Sequence, residues 1–124
     1  FLNLGSIKIL VKLKKAEIIL VPFPFSDLSS TKVRPALVLV DQDSQDIVVT
    51  PLSSQIEKRN HEPLLSDSDY AGIPMPIPSC VRIHHFFCVH ESLVRQRVSA
   101  VRPDIFENIL TLSIQYLSGM KEEK

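Results

Sequence analysis

Up to residue 101 the apolar residues of this chain come in short β-branched and aromatic runs, broken by prolines and polar segments. Only after that does a helical period set in. A chain written this way can build a small sheet and pack a helix on it. EIILVPFPF (17–25) reads as a strand that Pro22 and Pro24 push to an exposed edge or into a loop. The polar segment SDLSSTKV (26–33) reads as that loop, because its hydroxyl and carboxylate side chains can bond to the local backbone. PALVLVD (35–41) and IVVTPLS (47–53) then form a hairpin across the turn QDSQD (42–46), with Pro35 at the first position of its strand.

The later segments are shorter. Residues 54–65 read as a helical turn and a short strand. In YAGIPMPIPS (70–79) three prolines remove backbone donors and favour an extended surface loop over a ligand for a partner domain. CVRIHHFFCV (80–89) and RQRVSAV (95–101) read as strands, joined by a short helix or turn. Pro103 and Asp104 suit the first turn of a helix, Gly119 stops it, and Ile105, Phe106, Ile109, Leu110, Leu112, Ser113 and Leu117 form its packing stripe. The fold class expected is mainly β: a small SH3-like antiparallel β-barrel with a C-terminal α-helix.

At 124 residues the chain makes one domain, and its 44% hydrophobic and 23% charged composition is that of an ordinary globular protein. No apolar run is long enough to span a membrane, so no membrane partner is expected. FLNLGSIKILVKLKK (1–15) places its lysines within and after the apolar residues, the reverse of a signal peptide, which points to the cytoplasm. Residues 1–13 read as an N-terminal extension or extra strand, 14–119 as the barrel domain and 120–124 as a frayed tail. In that compartment Cys80 and Cys88 are expected as reduced, buried, small apolar residues.

The charges narrow the chemistry. Fourteen basic and fourteen acidic residues give a net charge of zero, so a nucleic-acid site has to be local. His84, His85, Cys88 and His90 look like zinc ligands, but along one strand they spread out instead of converging, and no CxxC pair completes them. No GxSxG elbow, phosphate-binding glycine loop or distinct carboxylate pair is present. The hairpin is what remains. In an antiparallel pair the start of one strand lies beside the end of the next, so Arg34 and Ser53 are expected to be neighbours. With Lys32 near, they make either a phosphate pocket or simple strand ends.

EIILVPFPFSD (17–27), KVRPALVL (32–39) and TPLSSQI (50–56) together resemble the PemK/MazF family of bacterial toxins, in order and in spacing, and the likeness runs from about Lys14 to the terminal helix. The resemblance implies a homodimer of SH3-like barrels that needs no metal or cofactor and cuts single-stranded mRNA at short sequences. The cut proceeds by 2′-OH attack and leaves a cyclic phosphate and a 5′ hydroxyl. It further implies a cognate antitoxin, acidic and partly disordered, that occupies the RNA groove. The family's catalytic arginine, ahead of the second strand's proline, falls on Arg34, and its hydroxyl residue after the third strand falls on Ser53. Thr31, Lys32, Ser54 and Gln55 fall at RNA-contacting positions, and the loop from Phe25 to Val33 is expected to close over the strand. His61 and His84 are candidates for an additional base or ordinary structural histidines. Where the family commonly has glycine before its first acidic residue, this chain has Ala16, so the backbone turn there is expected to differ.

Two further readings compete. Another toxin family with the same barrel poisons DNA gyrase through protein contacts, resting on a C-terminal tryptophan-containing anchor, whereas this chain has no Trp and ends in MKEEK. A decayed paralogue would keep only antitoxin binding.

Overall fold

A computed structural model describes residues 13–24, 31–41, 45–56 and 62–119. His61, most of the N-terminal extension, most of the loop expected from Phe25 to Val33, and the tail after Gly119 lie outside the described residues.

Among the described residues, strands β1 (Glu17–Pro24), β2 (Thr31–Val40) and β3 (Asp46–Ser53) form an antiparallel meander at the centre of a seven-stranded sheet. β4 (Leu64–Leu65), β5 (Ser79–Val81), β6 (Phe87–His90) and β7 (Gln96–Ala100) complete it, in the order β4-β5-β3-β2-β1-β7 with β6 also on β3. Helix α1 (Pro103–Ser118) follows. The sheet curls until its ends meet: Tyr70, after β4, bridges Val101, after β7, and Ala71 N–H donates to the Ala100 carbonyl at 2.8 Å. The expected partly closed barrel with a C-terminal helix is therefore present.

Both faces of the central strands are buried, which is why LVLV reads as a continuous apolar run and not as an alternation. Successive side chains point to opposite faces. Ile18, Leu37, Leu52 and Val81 pack on one side with Phe106 and Ile109 of α1, while Ile19, Val21, Ala36, Val38, Val49 and Val89 pack on the other. Each of the larger side chains among them, Val, Leu, Ile or Phe, contributes about 1.5–3 kcal/mol when fully buried. The helix begins at Pro103, carries Asp104 in its first turn and ends at Gly119, whose φ of 75° is a left-handed cap that glycine adopts without strain. Leu117, expected in the packing stripe, is 66% exposed, because the buried face ends at Ser113 and the last turn runs past the core.

Two boundaries and one burial differ from expectation. β2 begins at Thr31, inside the segment read as loop, because residues 31–34 pair with residues 21–24 of β1. Pro35 is thus interior to its strand, not first in it. The expected strand over 80–89 is split into β5 and β6 by a turn at 82–86, since the two pieces pair with different halves of β3. Cys88, expected buried, is exposed on β6, whose buried position is Val89.

Residues 70–79 carry no regular structure before β5 and expose Ile73 and Ile77, as a surface loop should. Ser99 pins that loop by donating from its hydroxyl to the Ile73 carbonyl at 2.7 Å. Ala16 has φ 77°, the left-handed conformation that a glycine takes freely, and its backbone bonds to both neighbouring strands, at Val38 and Val101. The glycine-type backbone is thus present at this position with an alanine in place. Among the described residues no helix is long and apolar enough to cross a membrane.

Candidate functional site at the split of the central hairpin

The β2–β3 ladder runs out at Ala36 opposite Pro51. The Pro51 carbonyl accepts from Arg82 N–H at 2.9 Å, so the polar groups of Pro51 face β5 and the Ala36–Pro51 pair is not hydrogen-bonded. Continuing the register, the next pair outward would call on Pro35 to donate, and Pro35 has no N–H. From there β2 keeps its pairing with β1, Arg34 opposite Val21, while β3 keeps its pairing with β5, Ser53 opposite Cys80. A cleft of about 370 Å³ occupies the wedge between them.

Arg34, Ser53, Ser54 and Gln55 all line this cleft, so four of the residues singled out from the sequence come together. Ser53 Oγ accepts a hydrogen bond from Gln55 N–H at 3.1 Å, a local turn that sets the direction in which the chain leaves the strand. Lys32 is exposed one pleat further along β2, opposite Phe23, and is not part of the lining. Thr31 pairs with Pro24 at the start of the strand.

The structure adds residues that the sequence reading did not place there. Phe23 of β1 and Phe87 of β6 meet edge to face, their centroids 4.8 Å apart, and form an apolar wall of the cleft. Arg82 and His85 come from the turn between β5 and β6. That turn is anchored by three bonds: Arg82 N–H to Pro51, His85 N–H to the Arg82 carbonyl at 3.0 Å, and the hydroxyl of buried Thr50 to the same Arg82 carbonyl. Arg82 Nη2 lies 2.6 Å from His85 Nε2, and Glu62, its side chain 8% exposed, lies 3.7 Å from Arg82 Nε. The one signal available in sequence was the pair VRIHH itself, arginine and histidine three positions apart.

The other histidines go elsewhere. His84, a candidate base from the sequence, stacks on Tyr116 of α1 at 4.3 Å, outside the cleft, and its neighbour His85 is the histidine in the lining. His90 donates from Nε2 to Gln45 Oε1 at 3.2 Å and accepts at Nδ1 from Ser92 N–H. Among the described residues no group of three or more His, Cys, Asp or Glu side chains is placed to hold a metal ion.

Among the described residues the lining holds two guanidinium groups, hydroxyls, an amide and an imidazole, and no carboxylate. A chain with no net charge thus carries a local positive site, suited to a phosphodiester with its sugar and a neighbouring base.

A curled antiparallel half-barrel with a C-terminal helix and an arginine-lined cleft at its hairpin split defines the class of protein. The family of PemK-like, MazF-like toxins of type II toxin–antitoxin systems matches residues 14–115, and the chain belongs to it. No curated protein matches the chain. Among solved structures it is similar to the MazE–MazF complex from Deinococcus radiodurans, with 16% identity and a TM-score of 0.68 over 90% of this chain and 100% of that one. It is also similar to an endoribonuclease bound to its cognate antitoxin from a mycobacterial species, with 13% identity and a TM-score of 0.63 over 90% and 98%. A third likeness is to the Mycobacterium tuberculosis toxin MazF-mt6, with 15% identity and a TM-score of 0.59 over 84% and 99%. At these identities the likeness is one of fold.

Proposed function

We propose that the protein is a sequence-specific endoribonuclease toxin that cleaves single-stranded mRNA by attack of the ribose 2′-OH, and that a cognate antitoxin neutralises it. The observation that carries this reading is the gathering of Arg34, Ser53, Ser54 and Gln55 in one cleft of a PemK/MazF-family barrel. Cleavage of this kind requires the phosphate to be held in line, negative charge on the phosphorane to be met, and a proton to be moved. The nucleophile belongs to the substrate, so no metal-bound water has to be generated, and the reaction proceeds without metal.

Arg34, fixed on a strand paired to β1 but exposed where β2 and β3 part, binds the scissile phosphate and stabilises the charge that develops on it. Ser53 bonds the phosphate or orients the 2′-OH, while Ser54 and Gln55, together with Thr31 and Lys32, contact the flanking backbone and bases. Phe87, in the lining, offers a face to an unstacked base. The protein acts as a homodimer in the cytoplasm, where mRNA is found. The antitoxin, an acidic and partly disordered chain, competes for the same positive groove.

The test is incubation of the purified protein with long single-stranded RNA in EDTA, with mapping of the cut ends beside Arg34→Ala. Discrete cuts with cyclic phosphate ends, absent in the variant, are expected. A folded protein that cuts nothing would discard the ribonuclease in favour of a gyrase-directed or antitoxin-binding role.

A further inference from the structure

Resting on the ribonuclease reading, we propose that His85 is the general base of the cleft and that Arg82 is the positioning residue that holds its tautomer. A guanidinium only donates hydrogen bonds. The 2.6 Å contact from Arg82 Nη2 therefore makes His85 Nε2 the acceptor and leaves the ring proton on Nδ1, so the imidazole stands in its neutral, proton-accepting form. Both groups line the same cleft as Arg34 and Ser53.

The arrangement is built. Thr50, fully buried on β3, bonds the Arg82 carbonyl, and Arg82 N–H bonds Pro51, which ties the turn to the strand that carries Ser53. Behind the guanidinium sits the buried Glu62 carboxylate, 3.7 Å from Nε. Among the described residues the charged groups around His85 include Arg82 on its own turn, Glu62 behind that arginine, and Arg34 on β2 in the same lining.

A phosphate entering the cleft draws the Arg82 guanidinium, because an ionic, forked hydrogen bond is stronger than one to a neutral ring. The lone pair on Nε2 is then released next to the bound ribose. His85 Nε2 takes the 2′-OH proton as the O2′–P bond forms. The P–O5′ bond breaks with its electron pair on O5′, which is protonated by water, and the imidazolium returns its proton to solvent. Cyclic phosphate and 5′ hydroxyl result.

The experiment is a pH–rate profile for cutting of a single-stranded RNA by the wild type, Arg34→Ala, His85→Gln, His85→Ala and His84→Gln. The wild type is expected to show an acid limb of one proton. His85→Gln should slow cutting by about 10²–10⁴-fold and lose that limb. Added imidazole should restore part of the rate of His85→Ala, while His84→Gln keeps the wild-type rate and profile. The role of His85 is overturned if the wild type cuts and Arg34→Ala does not, yet His85→Gln cuts at the wild-type rate or keeps the acid limb. It is equally overturned if imidazole restores nothing to His85→Ala. A wild type that cuts no RNA removes the ribonuclease reading itself, and this inference with it.

Discussion

Arg34 and Ser53 each lie two residues beyond the last β2–β3 pair, Ala36 opposite Pro51, where their strands separate to different partners. Arg34 stays pinned through β1 and Ser53 through β5. The cleft between them is therefore rigid on both sides and open in the middle, and its polar side chains hold little of the core together.

Removing the arginine should for that reason separate activity from stability. Arg34→Ala is expected to lower RNA cleavage by at least about 10²-fold, the scale for loss of a transition-state donor. Its unfolding free energy should stay within about 0.5 kcal/mol of the wild type, as for an exposed site. Urea denaturation beside an RNA cleavage assay checks both; comparable cleavage by the variant sinks the assignment. Arg34→Lys should recover little, since an ammonium lacks the planar fork.

Ser53 has a second duty, because its hydroxyl accepts from Gln55 N–H. Ser53→Ala is expected to cost roughly 10²-fold in cleavage, with Ser53→Thr retaining most of the rate. Equal losses in the two variants would mean that the hydroxyl is not what matters.

At Ala16 the left-handed backbone costs a side-chain-bearing residue about 1–2 kcal/mol, of which glycine would return about 0.4–1 kcal/mol through its freer unfolded chain. Ala16→Gly should raise stability by roughly 0.5–1 kcal/mol, a shift of a few degrees in Tm. A lower Tm would show that the methyl packed against the core outweighs the strain.

Ser113 is buried in α1, and its hydroxyl finds no hydrogen-bond partner among the described residues. An unpaired buried hydroxyl costs about 1–3 kcal/mol, and alanine is the better helix former. Ser113→Ala should therefore stabilise the protein by about 1 kcal/mol in chemical denaturation; a destabilised variant would contradict the assignment.

Two groups should titrate away from their ordinary values, in opposite directions. Arg102 bonds both Asp104 oxygens, at 3.1 and 2.6 Å, and these hydrogen bonds pull that carboxyl below 3.8. The pair's contribution is present above the unfolded value and lost as pH falls through the folded one. Burial pushes the Tyr70 hydroxyl above 10.0, outweighing a hydrogen bond with Met75, so its contribution is present below 10.0 and lost as pH rises through the folded value. Carboxyl NMR should place Asp104 below 3.8, and Arg102→Ala should return it upward. Ultraviolet titration should place Tyr70 above 10.0, and an ordinary curve for either group would refute the corresponding contact.

Much of this was legible beforehand where a single local rule governs. Pro103, Asp104 and Gly119 marked both ends of the helix, since capping is decided within a turn of chain. The nearness of Arg34 and Ser53 followed from hairpin geometry, which depends only on two adjacent strands. CVRIHHFFCV misled because a β-prone run looks the same whether one strand or two will use it. Its division depends on β3 pairing with β6 through Asp46–Val49 and with β5 through Leu52 and Ser53.

By itself, then, the order of residues determined the strands of the meander, the terminal helix, the hairpin that brings Arg34 to Ser53, and the family to which they point. Only the tertiary structure decided that Pro35 lies where the ladder opens into a cleft, and that His85 faces the cleft while His84 stacks on Tyr116. Two adjacent histidines in one turn are equivalent to any local rule. Their difference is set by buried Thr50 and the Pro51 carbonyl, far away in sequence, which hold the Arg82 backbone in one orientation.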